Sequence, residues 1–266
     1  MLPSSNETPM LAFEHLQKHF HAGTVNETTV FNDFNLTVAC GEFVSIVGSN
    51  GSGKTTLLNL LCGTLPVDGG RVLLDGEDIT HHTDFRRAAR LGRVFQDPTA
   101  GTCPALTIME NMALAENKNK PFHLGFAVSK QKTKAYREQL SQLQMGLEDK
   151  LHTPVGVLSG GQRQALALLI ATMTDISVLV LDEHTAALDP KSSETVMALT
   201  DAIVRAKGLT AVMVTHNLRF AVQYGSRLIM MDKGACVLDS INGRKEDYRI
   251  EDLLKVFNEI SIECGN

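Results

Sequence analysis

An α/β fold with a parallel core sheet, an N-terminal antiparallel β subdomain and an inserted helical subdomain is the architecture this sequence predicts. Three observations carry the prediction. First, Phe43–Val47, Val178–Leu181 and Leu209–Val214 are strand-length runs that are apolar but for Ser45 and Thr210. Strands that read this way are buried on both faces, as in parallel sheets. Second, two strand-like runs, Leu11–Phe20 and Thr29–Val38, flank a polar turn containing Gly and Asn, which is a hairpin signal. Third, from about residue 100 to 157 β-branched runs thin out and helical patterns take over, at Ile108–Glu116 and Ser129–Met145.

The parallel core starts at Gly48-Ser49-Asn50-Gly51-Ser52-Gly53-Lys54-Thr55-Thr56, which fits the pattern G-x-x-x-x-G-K-[ST]. A strand-like run precedes it and Leu57–Leu61 reads as a helix behind it. Strand, glycine loop and helix are the context this P-loop motif requires. Glycines let successive backbone N–H groups converge on phosphate oxygens, and a helix N-terminus adds its positive end. Lys54 can reach β- and γ-phosphates, and the Thr55 hydroxyl suits Mg²⁺. The fold class is therefore that of a P-loop nucleoside triphosphatase.

Beyond the loop, Arg71–Leu74 reads as a short strand, Phe85–Leu91 as a short basic helix, and Gly92–Pro98 as a strand ending in Gln96. The basic loop Asn117–Pro121 reads as solvated surface. Leu158-Ser159-Gly160-Gly161-Gln162 precedes a helix, Arg163–Met173, that is apolar almost all round and so belongs inside. Ser159 is a good N-cap and Gln162 stands at the capping-box position. Glycine at two early helix positions costs helix propensity, so a plain cap is a poor account of them. Asp182 and Glu183 close the Val178 strand, where doubly wound sheets bind ligands. Being adjacent, they point to opposite sides. Asp189 and Pro190 start a helix, Thr215-His216 ends the Leu209 strand, Arg227–Met231 and Ala235–Leu238 are closing strands, and Ile250–Phe257 is a final helix.

Composition sets outer bounds. A formal charge of −5 over 266 residues gives no basic field for nucleic acid. The polar start lacks a basic region followed by an apolar one, so no signal peptide is expected. No apolar run approaches the ~18 residues needed to cross a bilayer, so the chain reads as soluble. The 5 cysteines are odd in number and form no CxxC, which reads as free thiols in a reducing cytosol.

Taken in order, the P-loop, Gln96, residues 158–162, the acidic strand end, Ala187-Leu188-Asp189 and His216 resemble the ATP-binding cassette subunits of ABC transporters. The likeness spans about residues 10–240, with the helical subdomain inserted at about 100–175 and a short helical extension at 241–266. Stretches such as VFQDPTAGTCPALTIMENMALA and LDEHTAALDPK look like ATPases of bacterial binding-protein-dependent importers labelled tryptophan/tyrosine transport systems.

Within that resemblance, Gly48 to Thr56 hold the phosphates of ATP, and Phe20, a strand-end aromatic, stacks the base. Read without the resemblance, Phe20 is an ordinary core or strand-end side chain. Thr55, Gln96 and Asp182 serve Mg²⁺, Glu183 polarises the attacking water and His216 contacts the γ-phosphate. Ser159, Gly160, Gly161, Gln162 and Asp189 meet nucleotide held by a second copy, head to tail. The implied partners are membrane permease subunits, an extracytoplasmic binding protein acting through them, and a second copy in an ATP sandwich. The implied place is the cytoplasmic face of a bacterial membrane. A soluble iron–sulfur assembly ATPase would share the same site chemistry. Two departures from the family pattern stand out: His184 follows the catalytic glutamate in place of proline, and Phe20 stands where many relatives have Tyr.

Overall fold

The computed structural model describes residues 8–118, 120, 132–240, 251, 253 and 254. Two sheets organise them. The first is antiparallel, in the order β2-β1-β4-β5, from β1 (Leu11–Phe20), β2 (Thr28–Val38), β4 (Gly69–Leu74) and β5 (Glu77–Asp78). The expected hairpin is β1 against β2, pairing Leu11 with Val38 and Phe20 with Thr28. The second sheet runs β10-β9-β3-β8-β7-β6. Its strands are β3 (Phe43–Gly48), β6 (Leu91–Val94), β7 (Val178–Asp182), β8 (Thr210–Val214), β9 (Arg227–Asp232) and β10 (Ala235–Asp239). Only the β10–β9 pair is antiparallel; the others are parallel.

Burial explains the parallel pairing. Every residue of β3 and β8 is buried, so neither strand has a face to offer water. One core joins the two sheets: Phe13, Leu16, Phe31 and Phe34 of the hairpin pack with Val44 and Ile46 of β3 and with Leu57, Leu58 and Leu61 of α1 (Lys54–Cys62). Each such side chain contributes about 1.5–3 kcal/mol relative to exposure. The C-terminal carbonyls of α1 are met by Arg87, which is itself buried on α2 (Asp84–Ala88). Its guanidinium donates to Leu60 O at 2.6 Å and Leu61 O at 2.9 Å.

A separate apolar cluster holds α3 (Ile108–Glu116), α4 (Thr133–Ser141) and α5 (Gly160–Ala171) together through Met109, Met112, Tyr136, Leu140, Leu166 and Leu169. α6 (Pro190–Lys207) packs beside α5, and the short α7 (Leu218–Gln223) lies against β3. Leu253 is fully buried among Val47, Ala221, Leu228 and Met230. The expected final helix otherwise falls outside the described residues, as does the start of the Ser129 helix. No helix among the described residues is long and apolar enough to cross a membrane.

Several boundaries differ from the sequence reading, and three have a visible cause. The basic helix ends at Ala88 rather than Leu91, because Leu91 pairs in parallel with Val178 and begins β6. Strand β6 then ends at Val94 rather than Pro98, where Asp97 caps a 3₁₀ turn, Pro98–Gly101, by accepting from Thr99 N. The helix after residue 158 starts three residues early, at Gly160. In each case tertiary pairing or a cap decides what periodicity alone cannot.

Candidate functional site

The fully buried strand β3 delivers the chain to the glycine loop at the C-terminal edge of the sheet. Gly48 is indispensable for space, since a Cβ there would lie 2.2 Å from the Met231 carbonyl oxygen. Gly53 is the N-cap of α1, with φ of 99° and no side chain closing the cap. The first-turn N–H groups of α1 are thereby left for a ligand. Ser49 Oγ donates to Asp232 Oδ1 at 3.0 Å, fastening the loop to β9. Lys54 is buried, and its ammonium donates to Gly48 O and Ser49 O at 2.8 Å each, with Ser52 Oγ at 3.4 Å. Burial pushes the Lys54 amine below its ordinary range, and the negative charge of Glu183 works the other way. Thr55, Asn50 and Gly51 are exposed; Ser49 and Thr56 are half-buried.

The neighbouring strands bring the acids and the histidine to the same edge. Asp182 of β7 pairs with Val214 of β8, and Val214 with Ile46 of β3. Glu183 follows with φ of 45°, a left-handed conformation that turns it away from the strand line. Its N–H still bonds Val214 O at 2.9 Å. Glu183 Oε2 lies 3.1 Å from Nδ1 of the exposed His216. Asp182 is turned elsewhere, with Oδ2 accepting from Arg93 Nη2 at 2.7 Å.

His184 is buried, and its Nε2 lies 3.1 Å from Thr200 Oγ1 on α6. Thr200 gives its own proton to Val196 O at 2.8 Å, so the imidazole is the donor and is held as the Nε2–H form. Burial pushes His184 down to about 4. A neutral ring anchored to α6 is thus what this chain has in place of a proline.

Gln96 is exposed two residues past β6. The carbonyl of its neighbour Phe95 accepts from Gln164 Nε2 of α5 at 3.0 Å. Residues 103–107 fold onto α3 through buried Asn111, whose Nδ2 donates to Cys103 O at 3.0 Å and Thr107 O at 2.9 Å.

Ser159 and Gln162 form a full capping box at the start of α5. Ser159 and Gly160 are exposed, whereas Gly161 is buried, and a Cβ on it would sit 3.1 Å from Ser192 Cβ. The second glycine therefore has a reason within its own chain. Asp189 caps α6 by accepting from Ser192 N at 3.1 Å, and the Ser192 side chain, with that N–H second, holds its carboxyl below the ordinary range. Phe20 ends β1 half-buried, with Lys18 Nζ 5.5 Å over its ring. It pairs with Thr28, on the strand whose Val30 and Phe31 abut Gly53.

The structure thus brings Lys54, Asp182, Glu183 and His216 to one sheet edge. Gln96, Ser159, Gly160, Gln162 and Asp189 lie on other elements, and Phe20 at the hairpin end. Arg93 and Asn59 escaped the sequence reading. The available signal was an arginine inside a strand otherwise expected to be buried, since a buried charge requires a partner. Thr55, Gln96 and Asp182 offer hydroxyl, amide and carboxylate oxygens, the hard donors Mg²⁺ takes.

A groove of about 360 Å³ opens beside β6, lined by Cys62, Phe85, Ala88, Leu91, Arg93 and Phe95 among others. Phe85 is 80% exposed at its rim. Cys40, Cys62, Cys103 and Cys236 are free thiols.

Comparison with known proteins gives a consistent result. The family model described as ABC transporter matches residues 31–186. A tyrosine transport ATP-binding protein of Clostridioides difficile is 45% identical over 93% of this chain and 98% of its own length. The spermidine/putrescine import ATP-binding protein PotA of Haemophilus influenzae is 34% identical over 87% of this chain, which spans 58% of that longer protein. Among solved structures, the dimeric ATP-binding cassette MJ0796 in a post-hydrolysis state with ADP and Pi superposes with a TM-score of 0.73 at 29% identity. That match covers 86% of this chain and 97% of the other.

Proposed function

This chain belongs to the ABC transporter family as an ATP-hydrolysing, ATP-binding subunit of the import type, and from that premise we propose that it powers a binding-protein-dependent importer of an amino acid or similar small solute. The observation that carries the reading is the meeting of Lys54, Asp182, Glu183 and His216 at the ends of β3, β7 and β8, in a chain alike over almost its whole length to a tyrosine transport ATP-binding protein. The relatives compared are ATP-binding proteins of transport systems, so the soluble assembly-ATPase alternative is not favoured.

The proposed chemistry is phosphoryl transfer from ATP to water, where positioning and charge do most of the work. Lys54 and the α1 N–H groups hold the β- and γ-phosphates, and Phe20 stacks the base. Thr55, Gln96 and Asp182 hold Mg²⁺, which supplies positive charge against the phosphate oxygens. Glu183 orients the attacking water and accepts its proton. His216, already within hydrogen-bond reach of Glu183, steadies that carboxylate and meets the γ-phosphate. Ser159, Gly160, Gly161 and Gln162, with Asp189, face the nucleotide of a second copy. The groove beside exposed Phe85 receives a segment of a membrane permease, which would place the subunit at the cytoplasmic face of a bacterial membrane.

The test is Glu183→Gln. Turnover is expected to fall ~100-fold or more, with an ATP-bound dimer accumulating on size-exclusion chromatography. Co-purification with its permease and tyrosine-stimulated turnover of the assembled complex address the transport role. Near wild-type turnover of E183Q would defeat the catalytic assignment.

A further inference from the structure

Arg93 occupies a position the proposed chemistry does not use. It lies on β6, paired in register with Val180 of β7, two residues before Asp182. Its Nη2 donates to Asp182 Oδ2 at 2.7 Å and to Asn59 Oδ1 of α1 at 2.9 Å. Its guanidinium lies 4.7 Å over the ring of Phe95, the residue before Gln96. The Arg93 and Asp182 side chains are only 14% and 13% exposed. One planar cation thus touches the acid, the helix behind the glycine loop, and the segment that carries Gln96. Its Nε is buried with no partner among the described residues, so this placement is not one of complete hydrogen-bond satisfaction.

We propose that Arg93 is a positioning residue that holds the Asp182 carboxylate and sets how tightly the nucleotide site takes its divalent metal. The inference rests on the reading of Asp182 as a metal residue. Two effects of opposite sign follow from the geometry. The ion pair, in which Arg93 is held by its bond to Asn59, fixes one carboxylate oxygen and so aims the other. The same guanidinium places a positive charge beside a carboxylate that must attract a dication, and a shared carboxylate attracts it less. Removing the charge should therefore strengthen metal binding while impairing turnover. A side chain that merely filled space could not produce that split.

The test compares the full chain with Arg93→Gln, Arg93→Met and Arg93→Lys. Affinity for AMP-PNP is measured by calorimetry with excess Mn²⁺ and again with EDTA, and the ratio reports the contribution of the metal. In R93Q and R93M the ratio is expected to rise ~10-fold, with affinity in EDTA unchanged. Turnover and the Mg²⁺ concentration for half-maximal activity are both expected to fall. R93K should return the ratio to within about twofold of wild type, since it restores the charge. An unchanged or lower ratio in a folded neutral variant would overturn the proposal. Loss of a cooperative melting transition in both neutral variants would overturn it too, in favour of a purely structural pairing. Asp182→Asn separates the two layers. If D182N leaves the ratio untouched, Asp182 is not a metal residue and the underlying reading fails. If D182N lowers the ratio and the Arg93 variants do not change it, only the role of Arg93 fails.

Discussion

The glycine loop before α1 and the loop before α5 both start an apolar helix with glycines, yet they treat the helix N-terminus differently. Gly53 caps α1 with no side chain, so the first-turn N–H groups have no side-chain cap. At α5, Ser159 accepts from Gln162 N and Gln162 Oε1 accepts from Ser159 N, so two N–H groups at that helix start are met by its own residues. Gly161 is in turn pressed against Ser192. One helix start has no side-chain cap of its own. The other is capped by its own Ser159 and Gln162 and is exposed at Ser159 and Gly160. The contrast is the physical basis for assigning primary nucleotide binding to the first loop and a completing role to the second.

Four measurements sharpen or break that contrast. The largest effect belongs to Lys54→Ala, which removes the buried cation of the first loop. ATP affinity by calorimetry is expected to fall at least ~100-fold and turnover to disappear. Unchanged affinity would mean that the open helix start binds phosphate without its lysine. Ser159→Arg comes next. It should leave AMP-PNP binding by the single chain within about twofold, while turnover falls ~100-fold because the bulky side chain blocks approach to a second copy. Loss of single-chain binding instead would erase the difference between the two loops.

His184 provides the third measurement, because it ties the Glu183 turn to α6, the helix that backs Gly161. It is held at about 4 against an ordinary value of 6.5. Between those values the unfolded chain binds a proton that the folded chain refuses. This contribution to stability is therefore complete above 6.5 and is lost as pH falls toward 4. From pH 7 to pH 5 the loss is about 2 kcal/mol. His184→Gln should lose about that much less over the same interval in denaturant titrations. The smallest effect is Ser159→Ala, which removes the cap without bulk. It should cost about 1 kcal/mol of stability, and its turnover should stay near wild type if the capping box is chiefly structural.

The reach of the sequence differs between these same regions. Buried parallel strands and the glycine loop were legible because their signals are local: a mostly apolar run, a glycine pattern, a lysine at fixed spacing. The capping box at Ser159 and Gln162 was legible for the same reason. Arg93 was not, since its partner Asp182 is 89 residues away and only the β6–β7 register brings them together. The packing of Gly161 on Ser192 is a tertiary contact of the same kind. The groove beside β6 shows the limit from the other side: it gathers Cys62, Phe85 and Leu91, which no local pattern joins. The departure at His184 was visible as a residue, while its meaning required Thr200.

The contact between Gly161 and Ser192 has a consequence for how such a chain can change over generations. The two positions share one small volume, so neither can vary freely. A methyl group at 161 would need Ser192 to give way by a few tenths of an ångström, and a branched residue at 192 would press on a backbone that has no side chain to withdraw. What is tolerated at one position therefore depends on the residue at the other. The glycine at 161 is thus kept in place by the serine behind it.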